Sequence, residues 1–355
     1  MGGNALKNTI TRRYQADEYY ELVEEVKSKL YALFPDASIH VLRAYDTKES
    51  FGDMDVLISN VLINGIPPNT KLEYKLLEQF GYNEIKKNGN VYSFDHKGLQ
   101  IDLILTSKED FLTSAAYYDY NDLGNLLGRI SHKMGFKYGH QGLTVIVREG
   151  DYVIDEIIVS KNTSQILEFL GYDVVTYIAG FDTMEDIYEY VASGKFFNPE
   201  IFLLDNRNHK SRIRDRKRTT YSGFLEWCEE NKASLKHYPW PSLDERGGRR
   251  LTKEWIDRAE TFWPGTGSKI QELYAYRDKT VASHAKWSGG GVMERTGLQG
   301  KELGEFITVV KGLIADFMQP GEDFHDVVLR LSDRLIHKIE EITLKEWTLK
   351  VEALD

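Results

Sequence analysis

The chain has 355 residues and a formal net charge of −10, with 41% apolar and 28% charged residues. This length suits two or three domains, and the composition is ordinary for a soluble globular protein. A single cysteine excludes an intrachain disulfide and a cysteine-based zinc site and fits a reducing, cytoplasmic setting. The lack of any run of 18 apolar residues predicts no membrane span.

The first hundred residues alternate helical and strand patterns. Apolar residues recur at helical spacing over residues 17–34, and Pro35 ends that helix. The later elements are strands at 39–42 and 56–58, a helix at 70–80 that ends at Gly81, and a hairpin of 91–94 and 99–105. This order predicts a small mixed sheet backed by helices, in an α+β protein.

Helix dominates after residue 109. The predicted elements are an amphipathic helix at 122–134, strands at 143–147 and 153–159, and helices near 163–170 and 183–193. Beyond about residue 200 the sequence carries only helical patterns and loops. Most of the tryptophans there are expected in the core.

Two aspartates open the second predicted strand, in the sequence Gly52-Asp53-Met54-Asp55. Residues i and i+2 of a strand point to the same face, so the carboxylates of Asp53 and Asp55 lie side by side. Gly52 allows a tight turn or the close approach of another group. Two adjacent negative charges are costly unless a cation lies between them, and Mg²⁺ prefers such oxygen ligands.

A third acid, Asp102, is the only polar residue between Ile101 and Leu105. A buried strand carries a lone charge only with compensation. If this strand neighbours the first, three carboxylates converge and can hold two divalent ions, Mg²⁺ or Mn²⁺. An isolated Asp-x-Asp pair is more often part of a turn or cap, and the second strand makes the metal site the preferred interpretation.

These motifs resemble the DNA polymerase β superfamily of nucleotidyltransferases, and they are most similar to the family X DNA polymerases. The Gly-Asp-x-Asp strand matches at 52–58, and Ile101-Asp102 matches the third catalytic aspartate. The resemblance covers residues 20–180. It implies a nucleotidyltransferase palm at 1–110 and a thumb-like nucleotide-binding segment at 111–200, followed by a mostly helical C-terminal domain at 201–355.

The similarity extends into the helix predicted at 122–134. Tyr117 and Tyr118 precede Asp122, Asn125 and Arg129, which share one helical face. The resemblance implies that the aromatic pair packs near the incoming nucleotide, with Tyr118 on its sugar. It also implies that Asp122 and Asn125 lie against the base and that Arg129 lies near the templating side. A solvated face of an amphipathic helix is the alternative.

The chain departs from the family pattern at two places. Leu42 and Arg43 stand where the family has the Gly-Ser that holds the triphosphate, and Asp119-Tyr120 replaces a Thr-Gly. Arg43 or Lys48 is therefore a candidate to bind phosphate by charge.

Glycines mark two further features. Gly124 and Gly128 lie inside the predicted helix, and each costs about 1 kcal/mol relative to alanine, which predicts the close approach of a helix or ligand there. Gly297 and Gly300 predict a turn that opens a helix. That segment resembles the helical tails of CCA-adding enzymes and poly(A) polymerases and also a helix–hairpin–helix, although a plain packing joint explains it as well.

A basic run lies in the C-terminal half, where six of nine consecutive residues are lysine or arginine. Affinity for nucleic acid depends on such clustering more than on the total charge. The run predicts contact with phosphates, and pairing with acidic neighbours is the alternative. Its members are Lys210, Arg212, Arg214, Arg216, Lys217 and Arg218.

We therefore expect nucleotidyl transfer from a nucleoside triphosphate to the 3′-hydroxyl of a DNA or RNA primer end, with release of pyrophosphate. Two alternatives remain open: an RNA terminal transferase of the CCA-adding or poly(A) type, and an inactive relative that binds nucleic acid. The oligomeric state is open.

Overall fold

The computed structural model describes residues 5–59, 72–244 and 251–352. The chain divides into two compact units, one of Met1–Ile146 with Asp155–Gly267 and the other of Val147–Ile154 with Ser268–Asp355. The first unit thus includes residues on both sides of 110 and 200, where the domain boundaries are predicted, and those boundaries stay predictions.

Ten strands are found in the described residues. They are β1 (Tyr14–Gln15), β2 (Ile39–Val41), β3 (Ser50–Phe51), β4 (Asp53–Ser59), β5 (Ile85–Asn88), β6 (Val91–His96), β7 (Leu99–Thr106), β8 (Phe136–Gly139), β9 (Gly142–Glu149) and β10 (Tyr152–Ser160).

The α-helices of the described ranges number fifteen. They are α1 (Ala16–Leu33), α2 (Leu72–Phe80), α3 (Phe111–Tyr118), α4 (Leu123–Lys133), α5 (Thr163–Leu170), α6 (Val174–Ala179), α7 (Met184–Ser193), α8 (His209–Asp215), α9 (Thr219–Glu230), α10 (Lys253–Phe262), α11 (Thr266–Lys286), α12 (Gly289–Thr296), α13 (Gly300–Ala315), α14 (Phe324–Arg330) and α15 (Asp333–Glu352). Two short 3₁₀ helices, Pro199–Phe202 and Leu204–Asn206, precede α8.

The main sheet has five strands in the order β2-β4-β7-β6-β5. Strands β4 and β7 are parallel neighbours, and the other pairs are antiparallel. A smaller sheet has the order β10-β9-β8, and β1 pairs with β3. The chain is therefore an α+β protein with a small mixed sheet, as the sequence predicts.

The two faces of the main sheet differ in chemistry because side chains alternate along each strand. Met54, Val56 and Ile58 of β4 are fully buried in the core that α1 and α2 complete. Burying a side chain of this size contributes roughly 1.5–3 kcal/mol, so this face anchors the strand. The opposite face carries the acidic residues, and we call it the acid face.

Helix α3 covers one end of the acid face. Leu57 of β4 and Ile104 of β7 are paired neighbours, and they form a small buried cluster with Ala115 of α3. The polar positions of these strands, at 53, 55 and 102, lie on the N-terminal side of that cluster. Helix α3 thus marks where the acidic part of the face ends.

Most predicted elements are confirmed within a few residues, and the hairpin turns at Lys97 and Gly98, both with positive φ. Residues 70–71 of the helix predicted at 70–80 lie outside the described residues. Strand β5 was not predicted, because its exposed Lys86 and Lys87 hide the alternation that identifies a strand. Strand β4 is longer than predicted and includes both aspartates.

The second unit has its own helical core. Trp287, Phe306 and Val328 are among its buried residues, and Glu340 joins Trp287 to Arg295 through hydrogen bonds of 2.6–2.8 Å. Gly297 ends α12 in the left-handed conformation and Gly300 begins α13, which confirms the predicted turn. None of the described helices combines the length and apolar character that crossing a bilayer requires.

Candidate active site

The three predicted acids lie on one face of the main sheet. Asp55 and Asp102 are paired residues on the parallel strands β4 and β7, and Asp53 precedes Asp55 by two positions. Because paired residues of neighbouring strands point to the same side, all three carboxylates project from the acid face. The prediction that these two strands are neighbours is confirmed. Gly52 is the single residue between β3 and β4, directly before Asp53.

The acids affect one another electrostatically. Burial, together with the charges of Asp53 and Asp102, raises the pKa of Asp55 to about 8. Burial also raises the pKa of Asp102, and the charge of Asp53 adds to that shift while hydrogen bonds from Ser93 and Gln100 oppose it. Ionised carboxylates crowded in this way are costly, and a cation beside them would reduce the cost.

Gln100 ties the third acid to the N-terminal segment. Its Nε2 donates to Oδ1 and Oδ2 of Asp102 at 2.9 and 3.0 Å. Its Oε1 accepts from the backbone amides of Ala5 at 2.9 Å and Leu6 at 3.4 Å. Gln100 is not among the predicted site residues, although its position two residues before Asp102 on the same strand places it on the acid face.

The donor set suits a hard divalent ion, because all three side chains offer carboxylate oxygens. Over residues 5–59, 72–244 and 251–352, no three His, Cys, Asp or Glu side chains are grouped as a metal site. The acids fit a divalent ion by the chemistry of their oxygens and by their shared face.

Lys48 is a cation within electrostatic reach of the paired acids. Burial lowers its pKa, while the charges of Asp53 and Asp55 oppose that shift. Its Nζ lies 4.5 Å from the ring centroid of Phe51, and that ring stacks on Tyr19 at 3.7 Å. Lys48 is thus held beside the acid face by an aromatic surface, at a position where it could meet a phosphate.

Arg43 lies near the N-terminal half of β4, close in sequence to a residue that bonds to Asp55. The amide of Leu42 donates to the carbonyl oxygen of Asp55 at 3.0 Å, and Arg43 is the next residue. The side chain of Arg43 is 46% exposed, and its Nε donates to Oδ2 of Asp119 at 2.7 Å. Arg43 and Asp119 belong to the two segments in which the sequence departs from the family pattern. They are hydrogen-bonded to each other.

The aromatic pair ends α3 and packs closely on α4. A Cβ at Gly124 would lie 2.1 Å from the carbonyl oxygen of Tyr117, so only glycine fits there. The predicted close approach is confirmed at Gly124, where the neighbour is a helix. At Gly128 the nearest atom would be 3.8 Å away, which is ordinary contact. Tyr118 packs against the small cluster of Leu57 on the acid face.

The predicted base-contacting residues are bonded to the basic run. Arg218 Nη1 donates to Oδ1 of Asp122, and Arg214 Nη2 donates to Oδ1 of Asn125 at 3.0 Å. Burial raises the pKa of Asp122, and the charge of Arg218 opposes that shift. Two motifs that lie about ninety residues apart in the sequence therefore meet, which the sequence analysis did not predict.

Arg129 lies inside the fold. Its side chain is 1% exposed, and its Nε and Nη2 donate to the carbonyl oxygen of Ile201 at 3.2 and 2.7 Å. The guanidinium of Arg129 is therefore engaged within the protein. Its implied contact with the templating side stays a prediction.

The basic run divides into two sets. Arg214 and Arg218 pair with neighbours, and Arg214 also bonds to the buried Asp215 at 2.8 Å, so the alternative of internal pairing holds for these two. The remaining members lie on α8 or in the turn before α9. Lys210, Arg216 and Lys217 are exposed, and Arg212 is partly buried.

No protein-family model matches the chain, and no curated protein matches it. The chemistry of the site is therefore inferred from its own residues and their geometry. It combines three carboxylates on one sheet face with Lys48, which acts on Asp53 and Asp55, and with a second cation, Arg43, one residue after the Leu42 amide that bonds to Asp55. Such a set can hold divalent ions and the phosphates that accompany them.

Proposed function

We propose that this chain is a metal-dependent nucleotidyltransferase, similar in chemistry to the DNA polymerase β superfamily. It would transfer a nucleotide from a nucleoside triphosphate to a nucleic-acid 3′-hydroxyl. The observation that carries the proposal is the pairing of Asp55 with Asp102 on parallel strands, with Asp53 on the same face. The mutual effect of these acids on the pKa of Asp55 supports it.

Each acid has a distinct role in the proposal. Asp53 and Asp55, neighbours on one strand, would hold both ions, and Asp102 on the next strand would hold the ion near the attacking hydroxyl. Divalent ions bound here would lower the pKa of that hydroxyl and neutralise phosphate charge. The chain's own contribution is to keep three carboxylates on one rigid sheet, so that little reorganisation is needed when substrate arrives.

The flanking cations would bind the triphosphate. Lys48 carries a compact charge beside Asp53 and Asp55. Arg43 is half exposed and follows Leu42, whose amide donates to the carbonyl oxygen of Asp55. Arginine binds phosphate oxygens through a planar fork and lysine through a point charge, so the two suit different phosphates. They would stabilise the charge that develops on the leaving pyrophosphate.

The nucleic-acid acceptor is the second substrate in this proposal. The exposed residues Lys210, Arg216 and Lys217 offer phosphate contacts on the segment that also reaches Asp122 and Asn125. These contacts are independent of base identity and do not distinguish DNA from RNA.

A primer-extension assay tests the proposal. Labelled DNA and RNA primers, with and without template, are incubated with each nucleotide and with Mg²⁺ or Mn²⁺. We expect extension in at least one combination. Because Asp102→Asn keeps the shape of the residue and removes a metal ligand, we expect it to lower the rate by at least about a thousandfold while leaving the melting temperature close to that of the wild type.

The matched control is Asp36→Asn, which removes an exposed carboxylate in the turn after α1 and should leave extension unchanged. Extension of RNA without template would favour a terminal transferase. Full activity of Asp102→Asn, or no product from the wild-type protein under any condition, would contradict the proposal.

A further inference from the structure

Asp119 is a buried carboxylate that makes three hydrogen-bonding contacts to two residues. It follows α3 directly after the aromatic pair, and it is 1% exposed. Its Oδ1 accepts from the backbone amide of Arg43 at 2.8 Å and lies 2.8 Å from Nε2 of His40. Its Oδ2 accepts from Nε of Arg43 at 2.7 Å. One carboxylate therefore fixes both the backbone and the side chain of Arg43.

The residue after Asp119 completes the support for Arg43. The amide of Tyr120 donates to the carbonyl oxygen of Arg43 at 2.7 Å, and the guanidinium lies 4.7 Å from the centroid of the Tyr120 ring. Tyr120 is 3% exposed, and its ring is held edge-on by Phe181 at 4.8 Å. Tyr120 and Asn121 both have φ near +60°, which is strained for residues other than glycine. The strained turn brings Asp119 and Tyr120 to Arg43 together.

This support leaves part of Arg43 accessible. The bond to Asp119 uses Nε, on the side edge of the guanidinium, while 46% of the side chain is exposed. The hydroxyl of Tyr177 also interacts with the guanidinium. An arginine held at these points has a fixed direction, so the part that stays accessible need lose little freedom when it binds an anion. Arg43 directly follows Leu42, whose backbone amide donates to the carbonyl oxygen of Asp55.

We propose that Asp119 is a positioning residue that orients Arg43 toward the triphosphate, a proposal that rests on the function proposed above. The pair takes over the task for which the resembling family uses Gly-Ser, the motif that this chain replaces with Leu42 and Arg43. Asp119 itself touches neither nucleotide nor metal. Its effect on phosphate binding passes entirely through Arg43.

Inorganic tripolyphosphate is the probe, and its affinity is measured by calorimetry on the full chain without nucleotide or acceptor. We expect Arg43→Ala to weaken binding by about tenfold, because it removes a charged hydrogen bond. Asp119→Asn should weaken binding several-fold in the wild-type background and have no effect in the Arg43→Ala background. This loss of effect is what a positioning role requires.

Two further variants separate positioning from a structural role. His40→Gln removes the other side-chain partner of Asp119 without touching Arg43, and we expect the affinity to stay within about twofold. Arg43→Lys keeps the charge but loses the bond from Nε, so it should bind as weakly as Arg43→Ala. Arg43→Lys changes a half-exposed side chain, and it tests the proposal even if Asp119→Asn fails to fold.

Wild-type affinity in Arg43→Lys would overturn the proposal, as would an equal effect of Asp119→Asn with and without Arg43, or no binding of tripolyphosphate by the wild-type protein. The outcome is independent of the transfer assay. A protein that shows the predicted coupling but extends no primer would retain the positioning role and lose the proposed function.

Discussion

Asp55 and Asp102 are paired residues on neighbouring parallel strands, and their side chains share a face with Asp53. Parallel pairing brings the same ends of two strands together, so acids placed near the start of β4 and within β7 meet without help from any loop. The remaining polar groups of the site are arranged around this pair.

The first prediction concerns Asp55→Asn in metal-free protein. The pKa of Asp55 is raised to about 8 in the folded protein, above its value of about 4 in an unfolded chain. A raised pKa gives stability that is full below the unfolded pKa and is lost as the pH rises toward about 8. An asparagine cannot ionise, so at pH 7 the variant should be more stable by roughly 1–2 kcal/mol.

Urea unfolding at pH 5, 7 and 9, with a chelator present, measures this effect. The gain from Asp55→Asn should grow from pH 5 to pH 7 and level off above pH 8. A variant that is less stable than the wild type at pH 7 would contradict a raised pKa of Asp55 in the folded protein.

The second prediction concerns Gln100→Leu. The side chain of Gln100 bonds to both oxygens of Asp102 and accepts two backbone amides of the N-terminal segment. Its hydrogen bonds oppose the rise that burial causes in the pKa of Asp102, so leucine should raise that pKa further and move the pH profile of transfer to higher pH. The orphaned amides of Ala5 and Leu6 should cost about 1–3 kcal/mol.

Gln165→Leu on α5 is the matched control, since it removes an amide whose Oε1 accepts from Trp263, away from the acid face. It should leave the pH profile unchanged. If Gln100→Leu also leaves the profile in place, Gln100 serves only to fix the N-terminal segment.

The third prediction divides the basic run. Replacing Lys210, Arg216 and Lys217 by alanine should weaken binding of single-stranded or duplex nucleic acid and reduce the salt dependence of the affinity by about 2–3 in slope. Replacing Arg214 and Arg218 should change the slope less, because both pair internally, and should lower the melting temperature. Equal salt-dependence slopes for the two variants would contradict the division of the basic run into an exposed set and an internally paired set.

The acid face could be predicted from the sequence because its signals are local. A lone acid in an apolar strand and an i, i+2 pair both report strand geometry directly. The chain order of the strands then left few ways to pair them. Strand β5 escaped prediction because its polar residues lie at the edge of the sheet.

The surroundings of the predicted nucleotide-binding residues could be inferred only in part from the sequence. Helical spacing puts Asp122, Asn125 and Arg129 on one face, but it does not show which position another segment covers. The carbonyl oxygen of Ile201, 72 residues away, accepts hydrogen bonds from the side chain of Arg129. Asp119 was visible only as a departure from a family pattern, because its partners His40 and Arg43 lie 79 and 76 residues away. Long-range partners of this kind leave no periodic signal.

The central claim is that three acids share divalent ions, and titration with Mn²⁺ followed by electron paramagnetic resonance tests it most directly. With a non-hydrolysable nucleoside triphosphate present, we predict two bound ions in the wild-type protein. Asp53→Asn, Asp55→Asn and Asp102→Asn should each lose at least one of them, and Asp36→Asn should lose none. Equal Mn²⁺ binding in the wild type and in all three site variants would contradict the account.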